Sequence, residues 1–445
     1  MEGFLALVLV LSVSLIASSS TAARLRRSRP IALLLSGGWL WLLLGAAIGP
    51  SGLNAVDHAT TKGMMPLIAF ALGWIGLMIG LGAHRSLFRT LPSSVRRVTT
   101  LDLLVAVFVV GGLAVLVTTL MDDGFRAGTL DARDRMWLVG LMVVCALGWS
   151  LETRSLRSSE GAGGELLMSV RGGGGLGSLL SVGLWGFFCL LVVSEPPGVT
   201  LHTPIHVLQV FVAISLGVLL LGLVTRSALR LAGESSPEML TVFLGVVALL
   251  GGVAMRMGMP AILTGMLAGV LLTNLAGKEI RRFERFLLEA EHVVAVVLAL
   301  VAGLLLDVRI GLGGVVLAIA ISLARVVFKP RVLTSGQARG GSVSRASVRF
   351  VGIRQSPVAL ALGVGFVMRR PDDPWTHSVL GMIVACGLLS ELLPLWKALT
   401  YRTAPMTTTT TPDLETGAAE EVAEPDTTDA DDPDVDTHRD NEGGA

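Results

Sequence analysis

About thirteen apolar segments follow one another along this chain, each close to the roughly 20 residues that a helix needs to cross a bilayer. Hydrophobic residues make up 52% of the sequence and charged residues only 16%. A soluble protein would hide its apolar residues in shorter helices, whereas segments such as 101–120 reach spanning length. The pattern predicts an all-α, polytopic membrane protein. We place the spans at residues 3–22, 31–48, 64–82, 100–120, 136–153, 174–194, 203–225, 239–256, 259–275, 287–306, 310–328, 348–368 and 376–398.

Lys and Arg concentrate in every second connection between these spans, beginning with Arg24, Arg26 and Arg27. Because positive residues favour the cytoplasmic side, we expect an N-terminus outside and a C-terminus in the cytoplasm. No address signal is recognisable in the sequence, and we expect the chain in the plasma membrane. A cleaved signal peptide is the alternative for residues 1–23. It would need a basic segment ahead of its apolar run, but only Glu2 precedes the run and the arginines follow it. We therefore expect a retained first span.

Composition changes after Arg402. Residues 403–445 carry thirteen carboxylates, one Arg and almost no large apolar side chain. Such a segment cannot bury enough apolar surface to fold. The sequence thus predicts a transmembrane domain over residues 1–402 and a disordered acidic cytoplasmic tail over residues 403–445. The tail either keeps the chain soluble or folds back on basic cytoplasmic loops as an electrostatic brake.

The predicted twelfth span contains a helix-breaking signal. Pro357 removes a backbone hydrogen bond inside the span, next to Gln355 and Ser356, and Arg354 places a charge nearby. This combination predicts a discontinuous helix of the kind that lines substrate sites in transporters. An ordinary proline kink with an arginine that reaches the interface is the alternative.

Positive charge also occurs in the predicted eleventh span. Arg325 lies deep enough to need a partner, whereas we expect Lys329 and Arg331 at the membrane interface. The three cysteines, Cys145, Cys189 and Cys386, lie within spans and have no metal-ligand spacing. They are predicted to be packing residues rather than a disulfide framework.

Several sequence elements, taken in order, resemble the monovalent cation:proton antiporter superfamily. They are GAAIGPSGL at residues 45–53, GWIGLMIGL at 73–81, GMPAILTGMLAG at 258–269, AGLLLD at 302–307, Ala324–Arg325, GIR at 352–354 and ALAL at 359–362. Each element alone is weakly specific. Their common order over residues 5–400 carries the resemblance.

This resemblance implies two inverted six-helix repeats joined by one helix, with crossing discontinuous helices at the fifth and twelfth spans. It further implies a homodimer in which spans 1–3 and 7–10 form a scaffold and spans 4–6 and 11–13 a moving core. Gly45, Gly49, Gly265 and Gly269 recur at four-residue spacing and would let helix backbones approach closely. In the fifth span only Gly148 and Ser150 loosen the helix. The implied partners are a monovalent cation, a proton and the lipid bilayer, with no nucleic acid and no cofactor.

One departure from the family is clear. The resemblance places the ion-binding acid in the sixth span, yet residues 166–194 contain no Asp or Glu. Glu391 in the thirteenth span is the substitute that we favour, although it can equally serve as a structural partner of Arg325 or Arg354. Asp102 and Asp307 are expected at the interface, where a carboxylate costs little.

Glu289, Glu291 and His292 share one turn near the cytoplasmic side and form either a pH-responsive cluster or simply the wet end of a helix. For the whole chain, two functions remain open: a secondary transporter with altered coupling, and a transport-inactive membrane partner or regulator. As a variant of the first, an anion would occupy the space between Arg325 and Arg354. An enzyme is disfavoured because no nucleophile or metal constellation stands at a membrane face.

Overall fold

The computed structural model describes most of the predicted transmembrane domain. The described residues are 12, 38–54, 56, 58–84, 93–121, 125, 130–147, 164–193, 200–201, 204–231, 236–256, 258–275, 293–335 and 355–401. The predicted first span, apart from Ser12, and the tail after Tyr401 lie outside this part of the chain.

The described residues are almost entirely helical, which confirms the all-α prediction. In chain order the helices are α1 Trp39–Ile48, α2 His58–Gly63, α3 Met65–Leu81, α4 Ser93–Leu120, α5 Ala132–Ala146, α6 Gly164–Leu191, α7 Pro204–Leu231, α8 Ser236–Arg256, α9 Ala261–Leu275, α10 Val293–Leu304, α11 Leu312–Ser335, α12 Pro357–Arg369 and α13 Pro374–Tyr401. The one departure is a two-residue antiparallel ladder between α6 and α7, in which β1 Val192–Val193 pairs with β2 Thr200–Leu201.

These helices follow the predicted spans, with α1 at the second span and α3–α13 at the third to thirteenth. Within the described residues, α4 and α11 are long and apolar enough in full to cross a membrane, as are the segments Gly174–Leu191 of α6 and Trp375–Leu392 of α13. Several shorter apolar helices accompany them. The chain is thus a multi-pass helical membrane protein.

Glycine brings two pairs of helices into backbone contact. A Cβ on Gly45 of α1 would lie 2.1 Å from the Leu300 oxygen of α10. A Cβ on Gly265 of α9 would lie 2.1 Å from the Gly73 oxygen of α3. Only glycine permits such an approach, so the predicted close packing at these positions is confirmed. Both contacts lie within one chain.

Aromatic rings join α5, α6, α12 and α13. The Trp137 ring lies 5.6 Å from Trp185 and 5.8 Å from Phe366, and Phe366 lies 5.7 Å from Trp375, with three of the four helices contributing fully buried rings. Edge-on and tilted pairs of this kind each add about 0.5–1.5 kcal/mol beyond the apolar area that they bury. These four helices therefore form one packed group.

The turn between α12 and α13 reaches several other elements. The Arg369 guanidinium donates to the Gly258 oxygen before α9 and to the Cys189 oxygen of α6, both at 3.0 Å. Asp372 forms an ion pair with Lys62 of α2. At the start of α13, the His377 ring Nδ1 lies 2.8 Å from the Leu305 oxygen after α10. Polar contacts thus fix this turn both against α6 of its own group and against elements outside the group.

Substitution of Gly265 by Ala should destabilise the protein, because the new methyl group would overlap the α3 backbone and force two helices apart. We expect a loss of about 1–3 kcal/mol, measured by thermal unfolding in detergent. Gly245→Ala is the matched control, since a Cβ there meets nothing within 4 Å. Equal melting temperatures for the two variants would contradict the close contact.

Candidate functional site

Two buried cations lie on one face of α11. Arg325 and Lys329 are four residues apart, which places them one above the other on the helix surface. Their exposed fractions are 3% and 2%. Like charges at this spacing repel each other, and buried charges are costly unless they are paired. The pair therefore needs acceptors from neighbouring helices.

Asp102 of α4 supplies the first acceptor. Its carboxylate accepts a hydrogen bond from the Lys329 ammonium, and Asp102 itself is only 2% exposed. Asp102 and Lys329, which the sequence predicts at the membrane interface, are thus both buried, and they neutralise each other inside the protein. Asp307 and Arg331, in contrast, are not buried.

The end of α5 supplies the second acceptor. This helix stops at Ala146, and Leu147 has the extended backbone angles φ −70° and ψ 149°. The last carbonyls of a helix lack intrahelical donors and carry partial negative charge. The Arg325 guanidinium donates to the Ala146 oxygen at 2.8 Å. Arg325 thus has the hydrogen-bond partner that a buried cation needs. Helix α5 ends before Gly148.

The start of α12 lies beside this helix end. Pro357 is its first residue, and the Ser356 hydroxyl caps it by accepting from the Val358 amide at 3.3 Å. The Cys145 thiol of α5 donates to the Ala359 oxygen at 3.6 Å. The predicted break at Pro357 is confirmed. A negative helix end and a positive helix end therefore meet in the protein interior.

α13 adds polar groups next to the start of α12. The backbone N–H of Gln355 donates to the Ser390 hydroxyl oxygen at 3.3 Å, and that hydroxyl donates to the Gly387 backbone oxygen at 2.7 Å. The Gln355 side-chain oxygen is buried and has no hydrogen-bond partner among the residues that the structure describes. Glu391 follows Ser390 and is half-buried. Acceptor oxygens thus cluster around the α12 N-terminus.

The remaining predicted site residues lie outside the described part of the chain. They are Ser150, Arg354, Glu289, Glu291 and His292. Cys145, Cys189 and Cys386 are free and buried, as predicted for packing residues. Within the described residues, no group of three or more His, Cys, Asp or Glu side chains could hold a metal ion.

Sequence reasoning missed the Asp102–Lys329 pair. One signal was present, since Arg325 and Lys329 are four residues apart and must share a helix face. A repulsive pair on one face indicates a carboxylate on a neighbouring helix. A buried carboxylate that pairs with an ammonium group can instead bind a proton or another cation. The side chains of Arg325 and Lys329 and the two helix ends cannot bind both of these partners.

Loss of one member of this pair should cost more than loss of both. Lys329→Met leaves Asp102 buried without its ammonium partner, and we expect a loss of about 3–5 kcal/mol. The double variant Asp102→Leu/Lys329→Met removes both charges and should recover most of that loss. Thermal unfolding in detergent measures both. A double variant that is no more stable than Lys329→Met would contradict the pairing.

No family model matches this sequence, and no curated protein matches it significantly. Among solved structures, the chain is similar to that of the sodium proton antiporter MjNhaP1 from Methanocaldococcus jannaschii at pH 8. The TM-score is 0.55 and the sequence identity 14%, over 89% of this chain and 98% of the other. The protein therefore has the fold of a sodium proton antiporter.

Proposed function

We propose that this protein is a secondary transporter that exchanges a monovalent cation, Na⁺ or K⁺, for protons by alternating access. The observation that carries the proposal is the buried Asp102–Lys329 pair beside two opposed helix ends, in a chain with an antiporter fold. An ion pair costs several kcal/mol of desolvation per charge, so it persists in a membrane protein mainly where it serves transport.

Asp102 takes the place of the acid that the sixth span lacks. Its carboxylate has three alternative partners: the Lys329 ammonium, a proton and a transported cation. An entering cation displaces the Lys329 ammonium from the carboxylate, and the displaced ammonium gives up its proton. Return of a proton to Lys329 restores the ion pair and releases the cation. Arg325 stays on the Ala146 oxygen and balances the charge of the α5 end.

The other candidate residues have supporting roles in this mechanism. The Gln355 oxygen, Ser356 and the backbone freed at Pro357 offer neutral oxygen ligands for a cation that has lost its water shell. Glu391 is a second carboxylate at the same helix start and serves as a relay for protons. Ser150 and Arg354, which lie outside the described residues, remain further candidates for the ion site.

The architecture proposed for the chain has two inverted repeats of six helices. Such a repeat relates the second span to the ninth and the third to the tenth, so it would exchange the glycine contact α1–α10 with the contact α3–α9. We further propose a homodimer in the plasma membrane, with the N-terminus outside and an acidic tail over residues 403–445 in the cytoplasm. Glu289, Glu291 and His292 then lie on the cytoplasmic side as a pH-responsive cluster.

A transport-inactive membrane partner is the alternative function. The absence of an acid between residues 166 and 194 favours it. As a variant of transport, an anion bound between Arg325 and Arg354 would require chloride-dependent flux that Arg354→Ala abolishes. The bond from Arg325 to the Ala146 oxygen disfavours the anion, since part of that guanidinium is already neutralised.

Exchange should be measurable in proteoliposomes as dissipation of a pH gradient on addition of Na⁺, K⁺ or Li⁺. Asp102→Asn should reduce the rate at least about 100-fold, because the amide neither releases a proton nor balances a cation. Glu391→Gln should retain more activity than Asp102→Asn. A flat trace for the wild type with every cation would overturn the exchanger and leave the inactive partner.

Alternating access also requires the contacts of the α12–α13 turn to open. Cysteines at Lys62 and Asp372, linked by a short reversible thiol cross-linker, should stop exchange until the link is reduced. Both positions are accessible, with side chains 49% and 80% exposed. The control pair is Asp134 and Asp373, which both bind Arg370 within the same helix group. Unchanged flux in the linked Lys62/Asp372 pair would exclude this movement.

A further inference from the structure

α4 changes its winding beside the buried carboxylate. It is α-helical over Ser93–Leu104, π-helical over Val105–Val110 and α-helical again over Gly111–Leu120. A π-helical turn bonds residue i to i+5 and holds an extra residue, so it winds more slowly than an α-helix. Such turns are rare and occur often at functional sites. Here the π segment begins three residues after Asp102.

The π segment keeps one face of α4 buried along its whole length. The buried positions recur every four residues at Asp102, Ala106, Val110, Ala114 and Thr118. Large exposed residues lie at spacings of four or eight residues, at Leu104, Phe108, Leu116 and Leu120.

Each residue of an α-helix turns the chain by about 100°. Over the sixteen residues from Asp102 to Thr118, a regular α-helix would therefore place the two side chains about 160° apart around its axis. With about 4.4 residues per turn, the six π-helical residues remove about 100° of this drift. The π segment therefore aims Asp102 at the face along which α11 packs.

Nothing polar anchors the π segment. Its six side chains, VAVFVV, are all apolar and can form no side-chain hydrogen bond. Val107 and Phe108 are 44% and 72% exposed, while the buried side carries Ala106 and Val110. The next residue is Gly111, and a Cβ at this position would lie 3.1 Å from the Cγ2 atom of Val143. The Val143 side chain therefore packs closely against α4 at the end of the π segment. Rewinding this segment exchanges its backbone hydrogen bonds for α-helical ones, breaks no side-chain hydrogen bond of its own residues, and shifts the buried Ala106 and Val110 against their neighbours.

We propose that Val105–Val110 is the joint that positions Asp102 against Lys329 and releases it during transport. Conversion of the segment from π to α in place turns Ser93–Leu104 by about 100° against the rest of α4 and moves Asp102 off the α11 face. The return to π restores the ion pair. This inference rests on the proposed exchange function, in which Asp102 must change partners.

Deletion of Phe108 tests the joint. Removing one residue lets the segment become a regular α-helix while both ends keep nearly their present angles, because five α-helical residues turn about as far as six π-helical ones. Asp102 then stays paired but can no longer turn. We expect a melting temperature close to that of the wild type, hydrogen–deuterium exchange in residues 100–111 slowed about tenfold, and cation–proton exchange reduced at least about tenfold.

Phe108→Ala is the matched control, since it removes the same exposed side chain and keeps the chain length. It should behave like the wild type in all three measurements. Wild-type rates of transport and amide exchange in the deletion would overturn the proposal, and so would an equal loss in Phe108→Ala. Deletion of Val107 is the second variant, and unfolding of both deletions would contradict the register on which the joint depends.

If the wild-type protein transports no cation, the proposed function fails. Amide hydrogen–deuterium exchange then decides by itself whether the π segment rewinds. Slower amide exchange in the deletion than in Phe108→Ala would then still support a segment that rewinds. Equal amide exchange would reject it.

Discussion

The ion pair between Asp102 and Lys329 is the constraint on which the site depends. Each charge would cost several kcal/mol if it were buried alone, so neither helix can carry its charged residue into the interior without the other. The pair fixes α4 against α11, and α11 then places Arg325 at the end of α5. The ion pair between α4 and α11 thus helps to position the C-terminus of α5 and, next to it, the N-terminus of α12.

Charge at the helix ends follows from this arrangement. The carbonyl end of α5 is stabilised by Arg325, and the amide end of α12 is capped by Ser356. The half-charges of the two opposed helix ends cancel, so a site with one carboxylate and two cations carries a net charge of about +1. Exchange of one proton for one monovalent cation leaves that charge unchanged. In the proposed exchange, Asp102 of α4 supplies the carboxylate that the sixth span lacks.

The sequence predicts much of the fold, since the apolar spans, the break at Pro357 and the close-packing glycines are encoded locally. The site was harder because span boundaries were misjudged at two places. α4 begins at Ser93 rather than at residue 100, and α11 continues to Ser335 rather than residue 328. The shorter predicted spans place Asp102 and Lys329 near the membrane interface, although both residues lie inside their helices, α4 and α11. No local signal indicates that two residues 227 positions apart in sequence share one hydrogen bond.

In the proposed exchange, the Asp102 carboxylate holds either the Lys329 ammonium or a transported cation, and the displaced ammonium gives up its proton. Proton release from the detergent-purified protein in weakly buffered solution, on addition of Na⁺ or K⁺, measures this step without transport. We expect release by the wild type and none by Asp102→Asn. No release from the wild type across the pH range, or equal release from the variant, would contradict it.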